Sequence, residues 1–200
     1  MKLVVGLGNP GSNYEGTRHN IGFDVISELS LRWGTSRPKL RFEANLSEAN
    51  YQGEKVLLAA PQTYMNLSGR SVQQIVKFYQ IPLNDVLVIC DDMNLKLAQL
   101  RLRASGSAGG QKGLSSILQV CGTEQIPRLR FGVGRPPEKM DAVTFVLAKF
   151  RKEELADVDA SVRSAATGIE IWIREGISAA MNVVNLAPSD SGDNSSGKQT

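Results

Sequence analysis

The sequence is poor in the residues that build metal and redox sites. Its 200 residues include one histidine, His19, and only two cysteines, so a site with several histidine ligands is excluded. Cys90 and Cys121 lie far apart in apolar surroundings. This spacing excludes a CxxC redox pair and predicts two buried, reduced thiols. We therefore expect neither a bound metal nor a cofactor.

Long hydrophobic runs are also missing. The apolar stretch at residues 1–7 is too short for a signal peptide, and no segment approaches the roughly 18 apolar residues of a membrane span. We expect a soluble, cytoplasmic protein with no membrane partner. Because 42% of the residues are apolar, the chain has enough material for a core, which excludes disorder of the whole chain.

Acidic residues are scarce in one part of the chain. The formal net charge is only +3, but the segment from Lys96 to Lys139 holds eight basic and two acidic side chains. Its local charge is therefore +6. This distribution predicts one positively charged face, which suits a polyanionic partner.

Hydrophobic periodicity predicts strands interleaved with helices. Strands are expected at residues 2–7, 42–50, 54–60, 86–90, 100–103 and 128–133, and helices at 21–33, 68–81, 114–121, 153–176 and 177–186. Gln52-Gly53 predicts a hairpin. The fold class is α/β: a single domain over residues 1–187, with a mixed, mostly parallel twisted sheet flanked by helices. The polar residues 188–200 contain no large apolar side chain, so they predict a disordered tail.

A glycine fingerprint follows the first strand. The run from Gly6 to Gly11 matches G-x-G-x-x-G, which is typical of dinucleotide-binding sites and would indicate an oxidoreductase. However, no helix is predicted to open at Gly11, and no second strand ends in an acidic residue about 20 residues later. The dinucleotide hypothesis is therefore the weakest of the alternatives.

A histidine and an aspartate follow two predicted strands. His19 lies in the loop after the first strand, and Asp91 lies just past the strand at 86–90. If these strands are parallel neighbours, the two side chains are within reach, and an imidazole held by a carboxylate is an effective general base. The alternative is that His19 is an ordinary exposed loop residue.

No protein nucleophile accompanies this pair. A G-x-S-x-G motif is absent, and neither cysteine has the polar setting of a thiolate nucleophile. A base without a nucleophile favours activated water, and hydrolysis of an activated carbonyl is the simplest such reaction, with asparagine amides available to stabilise the oxyanion. Asn66 is a candidate, although Asn66 or Ser68 equally suits the cap of the second helix.

Several motifs occur together in a fixed order: VVGLGNPG (4–11), TRHNIGF (17–23), TYMNLSG (63–69), CDD (90–92), GSAGGQKGL (106–114), RLRFGVG (128–134) and FVLAKF (145–150). Through them the chain resembles bacterial-type peptidyl-tRNA hydrolases from residue 2 to about residue 187. The resemblance implies cleavage of the ester bond between peptide and tRNA, which recycles tRNA from prematurely released translation products. It also implies a monomer without a cofactor or an obligatory protein partner.

The resemblance assigns roles to residues at the centre of the site. His19 matches the catalytic histidine that takes a proton from water, and Asp91 matches the acidic residue that holds it. Asn9 matches the asparagine that distinguishes a blocked α-amino group from a free one. Asn66 matches the asparagine that binds near the scissile ester.

The resemblance also assigns residues around the site. Tyr14 and Tyr64 match aromatic positions that line the binding cleft. Arg103 and Arg130 match the basic pair that clamps the 5′-phosphate of tRNA, and guanidinium groups grip phosphate with two hydrogen bonds. The acceptor stem is accordingly expected on the basic face of Arg101, Arg103 and Arg130.

The glycine-rich loop departs from the family pattern, as does Asp92-Met93-Asn94 after the key aspartate. Gln111-Lys112 stands where His-Asn is most common. A lysine can donate a hydrogen bond but cannot accept one, and we expect Lys112 still to contact the acceptor end of tRNA. A rival function is that of a non-catalytic RNA-binding protein on the same fold, as in plastid intron-splicing relatives. The joint presence of His19, Asp91 and the two asparagines speaks against that rival.

Overall fold

Seven strands form one mixed sheet in the computed structural model, which describes residues 1–186. The strands are β1 (Lys2–Gly6), β2 (Lys39–Arg41), β3 (Ala44–Tyr51), β4 (Glu54–Pro61), β5 (Val86–Asp92), β6 (Leu100–Arg103) and β7 (Arg128–Gly132). The helices are α1 (Ile21–Trp33), α2 (Ser68–Tyr79), α3 (Lys112–Cys121), α4 (Ala142–Leu147), α5 (Leu155–Glu175) and α6 (Ile177–Val184). The expected tail at 188–200 lies outside the described residues.

The strand order is β2-β3-β4-β1-β5-β7-β6. The four central strands, β4, β1, β5 and β7, run parallel to their neighbours in this group, whereas β2, β3 and β6 pair antiparallel. The α/β class and the mixed sheet are therefore confirmed. None of the helices in the described part of the chain is long and apolar enough to cross a membrane.

Alternation along the strands divides the core between the two faces of the sheet. Val4 packs with α1, α5 and α6 on one face, whereas Leu3 and Val5 pack with α2 and α3 on the other. The central strands are buried on both faces, which explains why they read as continuous apolar runs rather than as an alternating pattern.

Close backbone contact fixes the start of α1 against the sheet. A Cβ atom on Gly22 would lie 2.5 Å from backbone atoms of Leu7, and one on Gly6 would lie 2.2 Å from the carbonyl oxygen of Gly22. Any larger residue at either position would push the helix away. The two glycines therefore place residues 18–20, just before α1, beside the carboxyl ends of β1 and β5.

The edge strand β2 was not predicted. Its three residues are all exposed, so they carry no apolar alternation. β2 turns into β3 through Phe42 and Glu43, which both have positive φ values (54° and 56°), as two-residue hairpins require. Neither residue type commonly adopts a positive φ. The Phe42 ring centroid lies 5.0 Å from that of Phe78, and this packing offsets the cost of the backbone conformation.

The cysteines differ in exposure. Cys90 is buried, as predicted, but Cys121 is only partly buried, so the prediction for Cys121 is wrong. It is the last residue of α3, where it packs against the edge of the core and is covered only in part.

Asp24 on α1 provides a test of pH-dependent stability. Burial, together with the charge of Asp159, raises the pKa of Asp24 from 3.8 to about 6. Because the folded-state value is above the unfolded one, ionisation opposes folding: the native state loses stability as pH rises from about 4 to 6. We expect Asp24→Asn to increase the free energy of unfolding at pH 7.5 by about 1–2 kcal/mol and to change it little at pH 4, as measured by urea denaturation.

The matched control is Asp157→Asn, which removes an exposed carboxylate from α5. It is expected to leave the unfolding free energy within about 0.5 kcal/mol at both pH values. A destabilised Asp24→Asn protein at pH 7.5 would contradict the prediction.

Candidate active site

A cleft of about 750 Å³ opens at the carboxyl ends of the central parallel strands. This edge is where ligands bind in open α/β sheets. Its walls come from the end of β5, the segments 64–66 and 107–111, the first turn of α3, and α4. Of the side chains predicted for the site, the cleft is lined by Asn9, His19, Tyr64, Asn66, Asp91, Lys112 and Arg130.

His19 and Asp91 meet in this cleft. The Nδ1 atom of His19 lies 2.8 Å from Oδ2 of Asp91, because β1 and β5 are parallel neighbours. This confirms the predicted proximity. Asp91 is only 5% exposed, so its carboxylate needs hydrogen-bond donors. The Nδ1–H group donates to it, which leaves Nε2 of His19 as the basic nitrogen; within residues 1–186, Nε2 has no hydrogen-bond partner.

Arg18 anchors the turn that carries His19. Its buried guanidinium lies between the rings of Phe145 and Phe150, 4.6 and 4.9 Å from their centroids, and forms a 2.6 Å ion pair with Glu154. Although burial opposes ionisation of Glu154, hydrogen bonds from Arg151 and the charge of Arg18 keep its pKa below the usual value. The histidine is therefore held by a buried ion pair that no local pattern in the sequence indicates.

Asn9 is held by its neighbours in one orientation. Its Oδ1 atom accepts from the backbone N–H of Met65 at 2.8 Å, and its backbone N–H and C=O both bond to the Asn20 side chain at 2.9 Å. Because Oδ1 is occupied, the group that Asn9 presents to the cleft is its NH₂, a donor. Asn20 and Met65 belong to quoted motifs, but nothing in the sequence indicated that they orient Asn9.

Asn66 does not cap the second helix. α2 begins at Ser68 after a 3₁₀ turn, its N-cap residue is Leu67, and no side chain caps it. The cap hypothesis is therefore wrong for Asn66 and for Ser68, whose hydroxyl donates to the carbonyl of Met65 instead. The 3₁₀ turn supplies the early hydrogen bonds, and Asn66 is left exposed at the cleft wall beside Tyr64.

Gln111 contacts Asp91 from the opposite side. Its Nε2 donates to Oδ1 of Asp91 at 3.0 Å, and its Oε1 accepts from the N–H of Leu114 at 2.7 Å, capping α3. In the sequence Gln111 is only a departure from the family pattern, and no local signal indicates its contact with Asp91. Lys112 follows as the exposed first residue of α3.

The predicted basic face lies on the part of the sheet that α2 and α3 leave uncovered. Arg101 pairs across the strands with Arg130, and Arg103 is exposed on the same face of β6. Arg130 forms an ion pair with Asp92. Arg103 lies outside the residues that line the cleft, at the edge of the sheet.

Two expectations about this region need correction. Arg128 adds no charge to the basic face, because it is 2% exposed and donates to carbonyls of Gly106, Ser107 and Glu124. It shapes the glycine-rich loop instead. Tyr14 does not line the cleft; it ends a 3₁₀ turn at residues 12–14, on the loop before His19.

The cleft also contains a thiol. Burial, with smaller effects from Asp91 and Asp92, raises the pKa of Cys90 well above its usual value. Cys90 is therefore a protonated thiol at neutral pH and a poor nucleophile. Among residues 1–186, no group of three or more His, Cys, Asp or Glu side chains is placed to hold a metal ion.

Comparison with known proteins gives one consistent result. The family model described as peptidyl-tRNA hydrolase matches residues 3–193. Peptidyl-tRNA hydrolase of Rhodopirellula baltica is 49% identical over 187 residues, 94% of this chain and 98% of that protein. The Thermoanaerobacter enzyme is 45% identical over 185 residues, 92% of this chain and 100% of its own length.

Solved structures of peptidyl-tRNA hydrolases also resemble this chain. The Arg119Gln mutant of peptidyl-tRNA hydrolase from Acinetobacter baumannii superposes with a TM-score of 0.87 at 35% sequence identity, covering 93% of this chain and 95% of that one. The match therefore extends over nearly the whole of the chain that the structure describes.

Proposed function

This chain belongs to the peptidyl-tRNA hydrolase family, and we propose that His19 and Asp91 carry out the hydrolysis of peptidyl-tRNA in its cleft. The observation that carries the proposal is the 2.8 Å hydrogen bond between the two side chains, at the point where Asn9 and Asn66 also reach the cleft. Cys90 is a protonated thiol, and the hydroxyl of Ser107 in the cleft wall has no hydrogen bond to a base among residues 1–186, which favours direct attack by water.

The chemistry follows from the orientation of the imidazole. Nε2 of His19 takes a proton from water as the oxygen attacks the ester carbonyl, and Asp91 stabilises the imidazolium that forms. The negative charge develops on the carbonyl oxygen, where the amide of Asn66 can donate a hydrogen bond. When the tetrahedral intermediate collapses, the ester C–O bond breaks and the imidazolium returns its proton to the ribose oxygen.

Asn9 explains discrimination between peptidyl-tRNA and aminoacyl-tRNA. The fixed amide presents an NH₂ donor to the cleft, because its oxygen is occupied by Met65. A donor favours the carbonyl oxygen that blocks the α-amino group of a peptidyl chain, and it disfavours the ammonium group of a free amino acid.

The basic residues bind the tRNA portion in this proposal. Arg103 and Arg130 clamp the 5′-phosphate, with Asp92 fixing the guanidinium of Arg130. Lys112 contacts the acceptor end at the start of α3. Tyr64, which is 62% exposed, provides an aromatic surface at the mouth of the cleft.

The wider role follows from the substrate. We place the enzyme in the cytoplasm, where it returns tRNA to translation from prematurely released peptidyl-tRNA. It works as a monomer without an obligatory protein partner. The catalytic domain spans residues 1–187.

The direct test is an assay with a labelled N-blocked aminoacyl-tRNA and purified protein, without added cofactor. Ester cleavage that leaves unblocked aminoacyl-tRNA intact supports the proposal. Binding without cleavage would support the non-catalytic RNA-binding function, and cleavage abolished by a chelator would reject the metal-free mechanism.

The phosphate clamp predicts a defect in binding rather than in chemistry. We expect Arg103→Ala and Arg130→Ala each to raise KM by about tenfold and to change kcat by less than about threefold, because a charge-assisted hydrogen bond to phosphate is lost. Steady-state kinetics with substrate that carries or lacks the 5′-phosphate provides the measurement. The defect should nearly vanish without the phosphate, and the salt dependence of binding should become shallower.

The control for charge alone is Arg174→Ala, which removes an exposed guanidinium at the end of α5. Its KM should equal that of the unmodified protein. An Arg103→Ala defect that persists undiminished on dephosphorylated substrate would rule out the clamp.

A further inference from the structure

We propose that Gln111 is a positioning residue, which holds the carboxylate of Asp91 in the orientation that the His19 dyad needs. The inference rests on the proposed function. It concerns a glutamine that stands where the family pattern most often has a histidine. The geometry that carries it is a chain of three hydrogen bonds, from the first turn of α3 through Gln111 and Asp91 to His19.

The amide of Gln111 can adopt only one useful orientation. Its Oε1 accepts from the backbone N–H of Leu114 at 2.7 Å, and this N–H can only donate. The NH₂ group therefore points the other way, where it donates to Oδ1 of Asp91 at 3.0 Å. Because α3 is packed against the core through Leu114 and Ile117, the donor is carried by a rigid element.

The carboxylate of Asp91 is consequently held from both sides. Gln111 donates to Oδ1 and His19 Nδ1–H donates to Oδ2, so rotation about the carboxylate would break both bonds. Two donors also satisfy both oxygens of a carboxylate that is only 5% exposed. Without Gln111, a buried oxygen would lack its donor and the carboxylate would be free to turn away from His19.

The charge of the residue at position 111 matters because other ionisable groups surround the dyad. Those in the cleft wall or directly beside His19 are Arg18, Tyr64, Cys90, Asp92, Lys112 and Arg130. Asp92 is turned towards Arg130, so the carboxylate bonded to His19 is that of Asp91. A neutral amide at 111 supports this carboxylate without adding a second negative charge to it.

Two substitutions separate positioning of Asp91 from capping of α3. Gln111→Met removes both hydrogen bonds, and we expect kcat to fall about tenfold with KM changed less than twofold. Gln111→Glu keeps an oxygen that can cap Leu114, but it replaces the donor with a carboxylate. It cannot donate as the amide does, and the like charge repels the carboxylate that orients His19, so we expect kcat to fall about tenfold.

A second readout does not require turnover. His19 is the single histidine of the chain, so the ¹⁵N spectrum of labelled protein reports its tautomer without assignment. The unmodified protein should contain mainly the Nδ1–H form, and Gln111→Met should lower that fraction. The control is Gln119→Glu, which places the same charge change on the exposed face of α3 and should leave kcat and the spectrum unchanged.

A Gln111→Glu protein with unchanged kcat would overturn the inference, because a residue that only caps α3 would keep its function as long as a capping oxygen is present. An unchanged tautomer in Gln111→Met would also overturn it. Failure of the proposed function is a separate outcome: the unmodified protein would not cleave blocked aminoacyl-tRNA, whereas the spectra would still report whether Gln111 orders the dyad.

Discussion

Replacing His19 with alanine is expected to lower kcat by about 10²- to 10⁴-fold, the contribution that a general base typically makes. The nitrogen that accepts the proton of the attacking water is lost, and the remaining side chains of the cleft, including the protonated Cys90 thiol, do not replace it. Because His19 lies outside the basic face, binding of tRNA should change little. Single-turnover cleavage of N-blocked aminoacyl-tRNA measures the first effect, and titration with an uncleavable amide-linked analogue measures the second.

The affinity measurement is also the control for folding. A His19→Ala protein that binds the analogue normally has an intact cleft, so its loss of turnover is chemical. Hydrolysis retained within about threefold would refute the role of His19 as the base. Loss of both binding and turnover would call for His19→Gln, which keeps a polar side chain of similar length.

Replacing Asp91 with asparagine is expected to lower kcat on the order of 10²- to 10⁴-fold with little change in KM. The amide oxygen would remain on the side of Gln111, whose Nε2 donates to it, and the NH₂ would then face His19. This donor would bond to Nδ1 and shift the proton to Nε2. The imidazole would keep its position, but in the tautomer that cannot accept a proton from water.

The measurement combines kcat with the ¹⁵N spectrum of His19, which should change from the Nδ1–H to the Nε2–H form. Asp92→Asn provides a contrast at the next position of the strand end. Because Asp92 pairs with Arg130, its loss should raise KM and leave the tautomer unchanged. Equal effects of the two substitutions on kcat would contradict the separate roles assigned to the two carboxylates.

Local signals explain which elements were predictable. The hairpin between β3 and β4 was recognised because Gln52-Gly53 supplies a glycine where the turn needs positive φ, and the structure has both residues in that conformation. The hairpin between β2 and β3 uses the same geometry at Phe42 and Glu43. It went unrecognised because packing of the Phe42 ring against α2, rather than a glycine, stabilises it.

The functional side chains also divide into those that a local sequence signal indicates and those that it does not. His19 and Asp91 were identified because each follows an apolar strand, a relation that is visible along the chain. Arg18 and Gln111 were missed because their partners, Glu154 and Asp91, are distant in sequence. A polar side chain in a loop gives the same sequence pattern whether it faces solvent or a buried carboxylate. No local pattern therefore distinguishes these two environments.

The sequence by itself determined the α/β class, the positions of the buried strands, the concentration of basic charge in one segment and the shortage of metal and redox ligands. The tertiary structure decided which residues meet. Hydrophobic periodicity specifies which face of a strand is buried, but it does not specify which strand lies beside it. Residues 19, 91 and 111 form one hydrogen-bonded chain. They meet because β1 pairs in parallel with β5, because Gly6 and Gly22 let α1 approach the sheet, and because α3 packs against the core.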